Sequence, residues 1–162
     1  MTLQAFVRRF DGVYEHSPWI AEAVYRRGLS PAEDAPQGLA AAMADVLAAA
    51  GDDAKLALIG AHPDLAGRAA IAGDLTDASK SEQGGAGLDR CTPDEYRRFQ
   101  ALNAAYKRKF GFPFILAIGG MDKREILAAF EARLGNDRAT EFRTAIEQIN
   151  RIARLRLEAL AR

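Results

Sequence analysis

No stretch of this chain alternates apolar and polar residues convincingly, whereas helix-forming residues recur at three- and four-residue steps along most of it. A strand buried on one face needs the two-residue alternation, and a helix needs the longer step. The chain is therefore expected to be all-α. Alanine and leucine, which lose little conformational freedom on entering a helix, dominate the composition and strengthen that expectation.

The helix ends are marked by local punctuation. Ser17-Pro18 reads as a cap followed by proline at the first helical position, opening a helix through Trp19, Ile20, Ala23 and Val24 that ends near Gly28. A turn containing Pro31, Asp34 and Pro36 leads to an alanine-rich helix over 39–50, stopped by Gly51. The next helix, through Lys55 and Ile59, must end near His62, because proline pushes its predecessor away from the α region. Residues 63–91 carry helical signals only in patches. Thr92-Pro93-Asp94-Glu95 then reads as a capping box, and its helix carries Tyr96, Phe99, Asn103, Tyr106 and Phe110 to Gly111. Asp122 with Glu125 makes another box, for a helix closed by Gly135. Asn136 or Asp137 caps the last and longest helix, whose apolar stripe is Phe142, Ile146, Ile149, Ala153, Leu157 and Leu160.

A length of 162 residues suits one domain over 1–162, large enough to bury a core without disulfides. The 22 basic and 22 acidic side chains cancel, which argues against a general nucleic-acid binder. The single cysteine, Cys91, cannot form an internal disulfide and has no base near it in sequence. With no secretory leader and no apolar run of membrane-spanning length, the chain is expected to be cytoplasmic and to have no membrane partner.

Chemistry is sought where the helical period fails, at residues 60–67, 75–89 and 110–121. His62 stands where a helix must stop, next to Pro63, and is a candidate general acid/base. The residues alone favour an exposed turn histidine. Ser79 and Glu82 have capping-box spacing, which explains them as a helix start. That explanation leaves out Gln83 and the glycines at 84, 85 and 87, which suggest close approach of the backbone to another group. On one helical turn Ser79, Glu82 and Gln83 point in neighbouring directions and can line one side of a pocket. Residues 110–121 form the most apolar window, interrupted by Pro113, and read first as buried core. Two other readings remain open. One is a non-catalytic helical interaction module; the other is a metal-dependent hydrolase with its ion on His62, Asp64 and Glu82.

The same segments, in the same order, resemble the OHCU decarboxylases, which act on 2-oxo-4-hydroxy-4-carboxy-5-ureidoimidazoline in the last step from urate to (S)-allantoin. The matching stretches are residues 10–25 (FDGVYEHSPWIAEAVY), 62–67 (HPDLAG), 75–88 (LTDASKSEQGGAGL), 102–118 (LNAAYKRKFGFPFILAI) and the closing helix through Arg154 and Leu155. The resemblance implies a single all-helical domain, an enzyme needing no cofactor and no metal, and a homodimer. It implies catalytic roles for His62 and Glu82, and substrate contacts for Pro63, Ser79 and Gln83. Phe114, Ile115, Leu116, Ala117 and Ile118 fall on the segment that wraps the ligand. Gly119 stands where many relatives carry a basic residue, so another cation, Arg68 or Arg90, is expected to take its place.

Overall fold

The computed structural model describes residues 1–67 and 73–162. Among the described residues there are eight α-helices, two short 3₁₀ turns and no strand. The helices are α1 (Leu3–Phe10), α2 (Trp19–Arg26), α3 (Pro36–Ala49), α4 (Asp52–Ala61), α5 (Asp77–Gly85), α6 (Pro93–Phe110), α7 (Lys123–Leu134) and α8 (Arg138–Leu160). They fall into two compact units: Met1–Ala61 with Glu147–Arg162, and His62–Ile146.

The first unit buries the apolar faces of α2, α3 and α4, with Ile20, Val24, Met43, Leu47, Leu58 and Ile59 almost fully enclosed. Phe6 packs against Phe10 and Tyr25, with ring centroids at 4.8 and 5.4 Å. The 3₁₀ turn Pro31–Asp34 is held by its own capping box, Ser30 with Glu33. Two polar links join α8 to the residues before α2. The Tyr14 phenol donates to Asn150 Oδ1 at 2.7 Å. Arg156 donates to Glu15 Oε2 at 2.9 Å and to the Gly12 carbonyl at 3.1 Å, both charges being buried.

The second unit is built on α6. Its start matches the sequence expectation: Thr92 accepts from the Glu95 amide at 3.2 Å, and Glu95 accepts from the Thr92 amide at 2.9 Å. It closes at Gly111, whose φ of 79° lies in the left-handed region that suits glycine. The Asp122–Glu125 box opens α7, both of its hydrogen bonds being 2.8 Å. Asp137, not Asn136, caps α8, accepting from the Thr140 amide at 2.7 Å.

Several local expectations need correction. Ser17 does not cap α2; its hydroxyl donates back to the Glu15 carbonyl at 2.9 Å. Gly135 does close α7 as expected, with an ordinary right-handed φ of −76°. In α8 the buried positions include Glu141, Ala145, Ile149, Ala153, Arg156 and Leu157, while Leu160 is exposed. The helical period was right, but two charged residues outside the apolar stripe, Glu141 and Arg156, are buried with partners.

Candidate active site

His62 follows α4 directly and opens the irregular loop 62–67. It is only 8% exposed, so it is not the surface turn histidine that the residues alone favoured. Pro63 and Asp64 are half-buried beside it. The loop turns at Ala66, whose φ of 51° is uncommon for a residue bearing a Cβ and must be imposed by its surroundings. A Cβ on Gly67 would stand 2.8 Å from the Asp64 Cβ. Glycine is thus needed at 67 for the loop to close on itself.

The second segment forms α5, and its cap is Thr76, whose side chain accepts from the Ser79 amide at 3.3 Å. Ser79 and Glu82 are therefore inside the helix and do not form the capping box that their spacing suggested. That removes the bland account of both. Ser79 (4% exposed) and Gln83 (3%), one turn apart, define the buried face of α5, with Glu82 half-buried next to Gln83. The helix continues through Gly84 and Gly85. An added Cβ at 84 meets only ordinary contacts with Asp89, and one at 85 meets nothing within 4 Å. The glycine run does not mark close approach by another part of the protein.

Gln83 ties α5 to the histidine loop. Its carbonyl accepts from the Ala66 amide at 3.0 Å, and its amide donates to the Asp64 carbonyl at 3.2 Å. Helix α6 grips the same loop from positions three and four apart, which share one helix face. Gln100 donates to the Ala66 carbonyl at 2.8 Å, Asn103 to the Leu65 carbonyl at 2.9 Å, and Lys107 to the Asp64 carboxylate at 2.7 Å.

The third segment, residues 112–118, is irregular and largely buried, with Leu116 half-buried, so its reading as core is correct. Phe114 stacks on Phe130 with centroids 3.8 Å apart and meets the edge of Tyr106 at 5.3 Å. The Arg133 guanidinium lies 4.4 Å from the Phe114 ring centre and donates to the Ile115 carbonyl. Arg133 also pairs with Glu141 at 2.8 Å, and Glu141 is wholly buried. Tyr106 donates to Glu141 at 2.5 Å and Asn136 donates to it at 3.0 Å. Burial and then the Glu141 hydrogen bond hold the Tyr106 phenol well above its ordinary pKa, so it stays neutral in this network. On α6, Asn103 grips the histidine loop, and Tyr106, one turn on, packs against Phe112 and Phe114.

Arg68 lies outside the described residues, and Arg90 is exposed at the end of the 3₁₀ turn Leu88–Arg90, its carbonyl accepting from Lys123 at 3.2 Å. His62, Asp64 and Glu82 do not form a three-ligand metal group; none exists among the described residues, and Asp64 is taken by Lys107. Burial pushes the Cys91 thiol up, away from a reactive thiolate. Sequence reasoning missed Gln100, Lys107, Arg133 and Glu141. Asn103 did carry a visible signal, since it was a carboxamide in an otherwise aromatic stripe.

These features define an all-helical protein with a buried histidine in a loop clamped by side chains, next to a helix presenting serine, glutamate and glutamine. The sequence model described as OHCU decarboxylase matches residues 1–158, and the chain belongs to that family. A 2-oxo-4-hydroxy-4-carboxy-5-ureidoimidazoline decarboxylase of Halalkalicoccus jeotgali is 42% identical over 157 residues, covering 97% of this chain and 85% of that protein. One of the same name from Haloferax volcanii is 40% identical over 154 residues, covering 94% and 87%. The crystal structure of an (S)-allantoin synthase superposes with a TM-score of 0.77 at 32% identity, covering 99% of this chain and 51% of that one. No helix among the described residues is long and apolar enough to cross a membrane.

Proposed function

We propose that the chain, as one catalytic domain, decarboxylates 2-oxo-4-hydroxy-4-carboxy-5-ureidoimidazoline to (S)-allantoin, with His62 as the acid/base and Glu82 as its orienting or ureido-binding partner. The observation that carries this reading is the junction made by Gln83. It joins the loop that begins at His62 to the helix that bears Ser79 and Glu82, through bonds between residues 17 and 19 positions apart along the chain.

The chemistry asks little of the protein beyond placement. When the carbon–carboxylate bond breaks, carbon dioxide leaves and the electron pair passes into the adjacent imine of the substrate. One proton goes to the imine nitrogen and one to the ureido-bearing ring carbon on a single face, while one leaves the neighbouring hydroxyl as it becomes a carbonyl, a net uptake of one proton for each carbon dioxide released. The substrate supplies its own electron sink, so the reading includes activity without a resident cofactor. Ser79, Gln83 and Pro63 would hold the polar edges of the ring. The apolar strip of Phe114, Ile115, Leu116, Ala117 and Ile118 would keep water from the carboxylate, which favours its loss as neutral gas. A proton positioned by His62 is worth about 10²–10⁴-fold in rate.

The reading also includes a cytoplasmic homodimer. The exposed Leu155 and Leu160 of α8 support a second copy as the occupant of that helix face.

The test is optical. Substrate is generated in place from urate with urate oxidase and hydroxyisourate hydrolase, and its absorbance is followed with and without this protein. Faster decay to optically active allantoin is expected, with no loss of rate after dialysis against a chelator. Decay at the spontaneous rate to racemic product would overturn the assignment.

A further inference from the structure

Three consecutive carbonyls of the histidine loop, those of Asp64, Leu65 and Ala66, each accept from a different side-chain carboxamide: Gln83, Asn103 and Gln100. Backbone carbonyls in a loop are ordinarily satisfied by water or by nearby main chain. Here the partners come from two helices, 19 to 38 residues away in sequence. Asn103 is the telling member. It is 3% exposed, and its Oδ1 has no hydrogen-bond donor, the one such buried side-chain atom among the described residues. A leucine of similar size would remove that orphan but would leave the buried Leu65 carbonyl without its donor, so what the position requires is the bond to the loop. What asparagine provides that leucine cannot is the grip on the Leu65 carbonyl.

We infer that Asn103, with Gln100, is a positioning residue that sets the placement of the His62 imidazole through the loop backbone. This rests on the reading of His62 as the acid/base. The loop needs such restraint because Ala66 holds a left-handed φ of 51°, which a free loop would relax. Displacement of an acid/base by about 1 Å is enough to cost roughly 10²-fold in turnover.

The experiment compares Asn103→Leu and Gln100→Leu with the parent protein in steady-state kinetics and in imidazole NMR. The chain has two histidines, and His16 is exposed in the other compact unit, so it serves as an internal reference. Each variant is expected to lose about tenfold to 10²-fold in kcat while KM stays within about twofold. The His62 resonances should shift or broaden and those of His16 should stay in place. Gln100 is half-buried, so its replacement is the milder probe of the fold. Parent-like kcat in the folded variants overturns the inference, as does a kcat loss with unmoved His62 resonances. Loss of the fold in both variants would assign the clamp to stability and overturn it as well. If the parent protein itself fails to accelerate substrate loss, the functional reading falls, and the NMR arm still reports whether the clamp sets the imidazole.

Discussion

Gln83 and Ala66 are joined by a 3.0 Å hydrogen bond in which the side-chain carbonyl accepts a backbone amide, and the same carboxamide returns a donor to Asp64 two residues earlier. One side chain thus brackets the turn of the histidine loop at both ends. A residue expected to meet substrate is also part of the frame of the loop that His62 opens, so, with His62 as the proposed acid/base, its loss should affect binding and turnover together.

Replacing the imidazole itself is the most direct test of the mechanism. His62→Asn keeps a polar group of similar reach without a titratable proton. Turnover should fall by about 10²–10⁴-fold while the helical circular dichroism is unchanged. A folded variant with parent-like turnover would remove His62 from the chemistry.

The buried charge cluster makes a separate prediction about stability. Glu141 is wholly buried and is compensated by Arg133, Tyr106 and Asn136. Arg133→Met leaves that carboxylate without its cation, and breaking a buried pair from one side costs about 3–5 kcal/mol. Urea denaturation should show a loss of that size. Adding Glu141→Gln to Arg133→Met should recover part of it, because the two positions share one interaction.

The location of the α5 cap can be read from a pair of alanine substitutions. Thr76→Ala removes the acceptor for the Ser79 amide and should lower stability by about 1 kcal/mol, with little change in kcat. Ser79→Ala should act chiefly on KM. The opposite pattern would restore Ser79 to the role of a helix cap.

Acid should weaken the fold through its caps. Backbone and side-chain hydrogen bonds hold the carboxyls of Glu33, Glu95 and Asp137 below their ordinary pKa. A carboxyl depressed in the folded state contributes stability above its unfolded pKa, and that contribution is lost as pH falls through the folded value. The melting temperature should therefore drop on the acid side of the ordinary carboxylate range. Glu95→Gln should show a shallower drop than the parent protein. An identical acid limb in both would show that the Thr92–Glu95 box carries no pH-dependent share.

The helices were legible because their signals are short-ranged. The Thr92–Glu95 and Asp122–Glu125 boxes each close within three residues, and the structure reproduces both. The same brevity made Ser79 and Glu82 ambiguous. Their spacing fits a box, but Thr76, three residues earlier, takes the cap and moves both into the helix. The buried state of His62 was not legible, since a proline-ended helix looks alike whether its last turn meets solvent or another helix. The partners of Asn103 and Arg156 were equally hidden, being 38 and 141 to 144 residues away along the chain.

By itself the amino-acid order determined the all-helical class, most of the helix ends and, through the HPDLAG, SKSEQ and FGFPFI segments, the family. Those properties depend on periodicity and on contacts within a turn or two, where chain neighbours decide the energy. Only the tertiary structure decided which polar side chains are buried and what they hold: Gln83, Gln100 and Asn103 on the histidine loop, and Arg133 with Glu141 behind the Phe114 strip. A carboxamide or charge is stable out of water only when a partner of matching geometry meets it there. That partner is brought by folding, from positions that no local pattern connects.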